Sequence, residues 1–302
     1  MHARAVRRYT GALAPVLVTI LTAGQIPPGF AASSAGLAER GAYLVKAAGC
    51  VSCHTDSEND GAPFAGGHRL ETPYGVFVTP NITPDKETGI GNWTDAEFLS
   101  ALRAGQAPDG SAYYPSFPYP SYAGITDQDA LDIKAWLDTL EPVRKINGAH
   151  DLAWYIPGRW AMRIWQWLFA PWQYAAHTAA DSESQRGAYL VRHLGHCGEC
   201  HTPRNIFGAL DTRLELSGSG SATSKGSDAA HNEGAPDIRP DRETGIGAWT
   251  RGDLELFLEI GMLPDGDFAG GQMTAVIDDN TALLTPEDRG AIAAFLLSLP
   301  PR

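Results

Sequence analysis

The apolar positions of this chain of 302 residues include two matching helical stripes. Ile133, Trp136, Leu137 and Leu140 follow the i, i+3, i+4, i+7 spacing of one buried helix face, and Ile292, Phe295, Leu296 and Leu299 repeat it. Each stripe has a start signal: Thr126 stands before the first, and Thr285-Pro286, an N-cap with proline at the first helical position, before the second. A first helix is predicted from Leu37 to Ala48, where Gly41 is small enough for another helix to cross closely. Thr94-Asp95-Ala96-Glu97 is a capping box that opens a further helix. No segment sustains period-two alternation, so the expected fold is all-α, with helices joined by long irregular loops.

The stripes belong to a longer internal repeat. Arg40-Gly41-Ala42-Tyr43-Leu44-Val45 returns as Arg186-Gly187-Ala188-Tyr189-Leu190-Val191. Glu87-Thr88-Gly89-Ile90-Gly91, with Trp93-Thr94 after it, returns as Glu243-Thr244-Gly245-Ile246-Gly247 with Trp249-Thr250. Pro108-Asp109-Gly110 returns as Pro264-Asp265-Gly266, an offset of 156 residues. The halves are therefore expected to be two copies of one domain, 35–145 and 181–302. The segment 146–180 between them holds Trp154, Trp160, Trp165, Trp167 and Trp172. It is expected to be a Trp-rich helical connector packed across both copies; a docking surface for a partner or a membrane interface is the alternative. Ser217 to Gly234, rich in Ser, Gly and Ala, is expected to be a flexible surface loop.

The first 34 residues read as a cleaved secretory signal: Arg4, Arg7 and Arg8, a short apolar run from Gly11 to Ala23, then small residues near Ala31-Ala32-Ser33. An uncleaved anchor is the competing reading. No later stretch is apolar for long enough to span a bilayer, so at most peripheral membrane association is expected. The net charge of −12 gives no footprint for nucleic acid and favours basic or neutral partners.

All four cysteines lie in two motifs, Cys50-Val51-Ser52-Cys53-His54 and Cys197-Gly198-Glu199-Cys200-His201. Two thiols three apart on a helical turn reach both vinyls of one haem, and the next imidazole falls under the iron. A zinc site built from both knuckles would have to join motifs 147 residues apart and leave both histidines unexplained. The expected cofactors are two covalently attached haem c groups, with Cys50, Cys53, Cys197 and Cys200 as attachment points and His54 and His201 as proximal ligands. Export to the periplasm fits this chemistry.

A fast electron carrier holds its iron six-coordinate, and His/Met ligation also raises the potential. Met273, after Gly270-Gly271 and before the closing helix, is the expected distal ligand of the second haem; Met262 is read as packing. The residue 156 positions earlier is Phe117, which cannot ligate iron. Three accounts of the first haem compete: Met162 reaches it from the connector, His68 or His150 does so, or the iron is open. Trp93 and Trp249 are read as packing or as indole partners of a propionate. Arg204 is read either as neutralising a propionate of the second haem or as solvated.

Gly-Ala-Tyr-Leu-Val before Cys-x-x-Cys-His-Thr, Asn81-Ile82-Thr83-Pro84-Asp85, Thr88-Gly89-Ile90-Gly91, Tyr119-Pro120-Ser121-Tyr122 and Cys200-His201-Thr202-Pro203-Arg204 together resemble one family. It is the multihaem cytochrome c subunits of bacterial periplasmic alcohol, gluconate and aldehyde dehydrogenases, and the resemblance covers nearly all the chain after residue 34. It implies electron transfer from a partner dehydrogenase of quinoprotein, flavin or molybdenum type towards quinone, a terminal oxidase or another cytochrome. Larger members have three haems and often a C-terminal anchor, whereas two haems and no anchor are expected here. Many members read Ala-Met-Pro-Tyr where this chain has Ser116-Phe117-Pro118-Tyr119. Others resemble it in that Phe and carry Met in a segment like Arg159-Trp160-Ala161-Met162, which favours Met162. The rival from another class is a dihaem enzyme, thiosulfate dehydrogenase- or peroxidase-like, working at an open first haem; a haem-based sensor is a third reading.

Overall fold

A computed structural model describes residues 34–169, 182–219 and 234–301. Nearly all of the expected signal, the end of the connector with Trp172, and most of the 217–234 stretch lie outside the described residues. The fold is mostly α. Helix α1 (Ser34–Ala47) leads into α2 (Cys50–His54), and α3 (Asp95–Ala104) begins at the predicted capping box, with Thr94 and Glu97 bonded reciprocally. One buried turn, α4 (Tyr119–Tyr122), precedes α5 (Asp127–Leu137), which Thr126 caps by accepting from Asp129 N–H. After α6 (Arg159–Phe169) the pattern repeats. Helix α7 (Glu183–Tyr189) continues as a π-turn at Leu190–Leu194 into α8 (Gly198–His201), and α9 (Arg251–Ile260) opens on a second capping box at Thr250 and Asp253. Then come α10 (Gln272–Asp279) and α11 (Pro286–Ser298), the latter with Thr285 as N-cap and Pro286 at its start.

Glycine decides how the helices cross. A Cβ on Gly41 would sit 2.0 Å from the Asp132 carbonyl oxygen, and one on Gly187 would sit 1.9 Å from that of Ala291. So α1 lies directly on α5, and α7 lies on α11 in the same way. The predicted stripes face these contacts: Ile133, Leu137, Ile292, Phe295 and Leu296 are buried.

The repeated Arg-Gly-Ala-Tyr sequence also ties the halves together. Arg40 bonds Asp129 and Asp132 within its own half, and Arg186 bonds Asp288 within the other. The tyrosines cross over: Tyr43 donates to Asp288 and Tyr189 to Asp129, each at 2.5 Å. Each tyrosine oxygen also accepts the N–H of the opposite N-cap, Thr285 or Thr126. Burial alone would raise the Asp288 carboxyl, but the bonds from Arg186 and Tyr43 outweigh it and hold the group below its usual range. A hydrogen bond to a charged group is worth about 1.5–3 kcal/mol. We expect Tyr189→Phe to destabilise by about 2 kcal/mol in urea melts, and Tyr43→Phe by somewhat less because Tyr43 is less buried. A change near zero for both would show that the crossed bonds do not hold the halves.

One expectation needs correction. The fold is not purely helical: Arg69–Thr72 (β1), Gly75–Val78 (β2) and Asp151–Leu152 (β3) form a three-stranded antiparallel sheet in the order β1-β2-β3. Thr72 pairs with Gly75 around a Pro73-Tyr74 turn, and Gly75 pairs again with Leu152. Strands this short carry too few residues for an alternation to register in the sequence.

Helix α6 uses its two faces differently. Gln166 bonds the Ala104 and Gly105 carbonyls, Arg163 bonds Gly110 and Arg159 bonds Ala112, all in the first half. Trp165 donates to the Phe207 carbonyl of the second half, and the Phe169 and Phe207 rings stack. Met162 is buried on this packed face. The other face, with Trp160, Ile164, Trp167 and Leu168, is exposed, Trp160 at 74 %. The helix therefore bonds to both halves, while one apolar side stays open. Among the described residues, no helix is long and apolar enough to cross a membrane.

Candidate haem attachment sites

Each Cys-x-x-Cys-His motif makes a single turn, α2 or α8, entered through a left-handed residue: Gly49 at φ 61 and His196 at φ 39. Glycine suits that backbone. His196 is held there by an edge-on contact with the Tyr122 ring at 5.5 Å. In each motif the first cysteine is partly covered and the second is exposed, and none of the four forms a disulfide. Burial pushes the Cys50 and Cys197 thiols up to about 12, so both are neutral thiols at neutral pH.

The two histidines are oriented identically. His54 Nδ1 lies 2.8 Å from the Pro80 carbonyl oxygen, and His201 Nδ1 lies 2.8 Å from that of Pro236. A carbonyl only accepts, so Nδ1 carries the proton and Nε2 keeps its lone pair for a metal. Burial lowers the pKa of both rings, which favours the neutral, ligating form. Glycine brings the prolines close: Gly66 N–H donates to the His54 carbonyl and Gly218 N–H to the His201 carbonyl, both at 2.8 Å with positive φ. A Cβ on Gly66 would meet the Pro80 carbonyl carbon at 2.4 Å. This pattern of histidine, glycine and proline was missed in the sequence, although the pair Pro80 and Pro236 keeps the 156-residue offset of the repeat and was there to be found. It also corrects one expectation. Ser217 and Gly218 are not part of a free surface loop: Ser217 is buried and the two residues back the second motif.

The chain leading into each motif meets the same side chain: the Tyr122 ring touches His196 at 5.5 Å and its hydroxyl bonds the Ala48 carbonyl. Burial, and after it the charge of Cys200, pushes the Cys53 thiol up. Helix α4 serves both sides: Tyr122 O–H bonds the Ala48 carbonyl just before the first motif, and Ser121 Oγ bonds Glu199 inside the second, at 2.6 Å. Asn280 from the second half bonds the Ala47 carbonyl. Arg204 is exposed and bonds the Glu199 side chain and the Glu199 and Gly208 carbonyls. Among the described residues, no three Cys, His, Asp or Glu side chains are grouped as for a metal ion. A pair of thiols beside a neutral imidazole with a free Nε2, present twice, fits covalently attached haem.

The remaining candidates are dispersed. Met273 is half-buried in the first turn of α10, behind Gly271 at φ 62. Phe117, at the matching place in the first half, packs among Tyr113, Tyr119 and Tyr122. His150 is exposed and its Nδ1 accepts from Val78 N–H, while His68 lies close enough to His54 to lower its basicity. Met262 bridges to Phe268 at the Pro-Asp-Gly turn. Trp93 and Trp249 pack against the core, the latter edge-on to Phe257.

Residues 38–141 match the family model for cytochrome c. Over 276 residues the chain is 43 % identical to a diheme cytochrome c-type protein of Cereibacter sphaeroides, covering 90 % of this chain and 89 % of that one. It is 40 % identical to the cytochrome c subunit of gluconate 2-dehydrogenase from Pantoea cypripedii, matching 87 % of this chain and 59 % of the relative. It is 37 % identical to the cytochrome c subunit of the quinone alcohol dehydrogenase from Gluconobacter oxydans, matching 87 % of this chain and 55 % of the relative. With two attachment motifs of matching geometry and a relative alike along almost its whole length, the chain belongs to the c-type cytochromes.

Proposed function

We propose that this protein is a periplasmic dihaem electron carrier, passing electrons from a partner dehydrogenase towards quinone, a terminal oxidase or another cytochrome. The observation that carries the reading is that α4 ties the two motif regions together, Tyr122 bonding the Ala48 carbonyl just before the first and Ser121 bonding Glu199 within the second. Electron transfer needs two redox centres near one another and fixed in place, and this bridging supports such an arrangement for two attached haems. The relatives named as dehydrogenase cytochrome subunits support a dehydrogenase as donor. In this reading residues 1–34 are a cleaved export signal, and 35–145 and 181–302 are two cytochrome c domains joined by 146–180.

Bound haem would supply the redox-active iron; the chain does the rest. Cys50, Cys53, Cys197 and Cys200 fix the two groups, and His54 and His201 present Nε2 with their rings locked by Pro80 and Pro236. Met273 would hold the iron of the second haem together with His201, and Met162 that of the first together with His54. Three facts support Met162: it is buried, its helix is bonded to the Ala104–Ala112 segment, and Phe117 stands where the repeat would put a ligand. Of the two histidine candidates, His150 is tied to β2 through its Nδ1.

The test is carbon monoxide added to the reduced, fully haem-loaded protein. We expect no rapid binding and low-spin spectra at both haems. Rapid binding at one haem, with turnover of peroxide or thiosulfate, would replace the carrier by the enzyme reading.

A further inference from the structure

Arg159 forms no ion pair with an aspartate or glutamate among the described residues, although the exposed Asp109 feels its charge. Its Nε donates to the Ala112 carbonyl at 2.7 Å, and its guanidinium carbon lies 4.9 Å from the centre of the Tyr113 ring, so the group is fixed. Its Nη2 is buried and has no hydrogen-bond partner among the described residues. The acid whose charge reaches Arg159, Asp109, is exposed and already accepts both the N–H and the hydroxyl of Ser111, at 2.8 and 2.6 Å. Between Leu152 and Phe169 the sequence has no aspartate or glutamate at all. A buried, unanswered cationic N–H costs several kcal/mol, so its expected partner is an anion carried by the cofactor.

The surroundings say which anion. Tyr113 meets Phe117 edge-on at 5.8 Å, Phe117 meets Tyr122 at 5.9 Å, and Tyr122 bonds the Ala48 carbonyl two residues before Cys50. This aromatic wall runs from the first attachment motif to Arg159. Met162 lies one turn further along the same packed face of α6. We propose that Arg159 Nη2 binds a propionate carboxylate of the haem attached at Cys50 and Cys53. The planar guanidinium suits a carboxylate, and an Arg–carboxylate bond keeps its strength when buried. Helix α6 then supplies the first haem with a fixed cation as well as the thioether. The inference rests on Cys50–His54 carrying a haem, and is independent of whether Met162 ligates.

A positive charge near the iron favours the reduced form. In the haem-loaded protein, Arg159→Gln should shift the reduction equilibrium of the first haem about threefold to tenfold towards the oxidised state. Tenfold corresponds to about 59 mV for one electron. The second haem should not move, and Arg159→Lys, which keeps the charge, should recover most of the shift. An unmoved first potential in Arg159→Gln, with its methionine–iron charge-transfer band intact, overturns the proposal and leaves Arg159 a purely structural residue. If Arg159→Gln fails to load haem, a crystal structure of the loaded natural protein decides: an Arg159 nitrogen bonded to a propionate oxygen supports the proposal, and a propionate held elsewhere sinks it. The same redox shift in a Met162→Ala background keeps the clamp even where the Met162 assignment fails. A chain that carries no haem at Cys50 and Cys53 would show instead that the underlying reading is wrong.

Discussion

Met162→Ala should convert the reduced, haem-loaded protein from binding no carbon monoxide rapidly to binding one molecule per chain. In the functional reading above, the thioether of Met162 closes the first haem, because the repeat places Phe117 where a ligand would otherwise stand. Phe117 is locked among Tyr113, Tyr119 and Tyr122, and its ring has no donor to replace the lost sulfur. The first haem should lose its charge-transfer band and its potential should fall, since methionine ligation raises it. Met162 is 7 % exposed, so its truncation should also cost about 2–5 kcal/mol of stability. Met273→Ala should open the other iron, and the double variant should bind two. If Met162→Ala stays closed while Met273→Ala opens, another residue holds the first iron and Met162 is packing.

The largest loss of stability without a change at the haems is expected from Gly187→Ala. The new methyl carbon would stand 1.9 Å from the Ala291 carbonyl oxygen, 2.6 Å from its carbon and 2.7 Å from Phe295 Cβ. Two of those atoms are backbone in the middle of α11, so relief requires α7 and α11 to separate. Overpacking typically costs 1–3 kcal/mol and occasionally more. Here about 3 kcal/mol or more is expected, because the displaced helices also carry the crossed tyrosine and aspartate bonds. Gly41→Ala, 2.0 Å from the Asp132 carbonyl oxygen, should behave alike. Gly252→Ala is the control: its nearest neighbour is 3.8 Å away in the first turn of α9, so the change should be neutral or stabilising by up to about 1 kcal/mol. Denaturant midpoints of the haem-loaded variants measure all three. Equal midpoints for Gly187→Ala and Gly252→Ala would mean that the close crossing is not required.

Much of the site was legible because its signals are local. The capping box at Thr94 and the N-caps Thr126 and Thr285 each act within a few residues, and the structure has them where they were read. The proline carbonyls behind the histidines were not read. Pro80 and Pro236 lie 26 and 35 residues from their histidine partners, and nothing local in the sequence announces such a bond. The sheet escaped for the opposite reason, being too short to set a period. The bond from Arg204 to Glu199, within the second motif, was not read either, because folding turns the Glu199 side chain inward.

By itself the sequence determined what each half is made of: two copies of the same helices, two thiol pairs each followed by a histidine, and a tryptophan-rich segment between them. Those properties follow from residue type and short spacing. Only the tertiary structure decided how the copies meet. Tyr43 and Asp288 lie 245 residues apart, Tyr189 and Asp129 60, and Ser121 and Glu199 78. Contacts at such separations depend on which faces the helices have left after packing on their own partners. The same packing chose which side of α6 to bury, turning Arg159 and Met162 inward and leaving Trp160 and Trp167 in solvent.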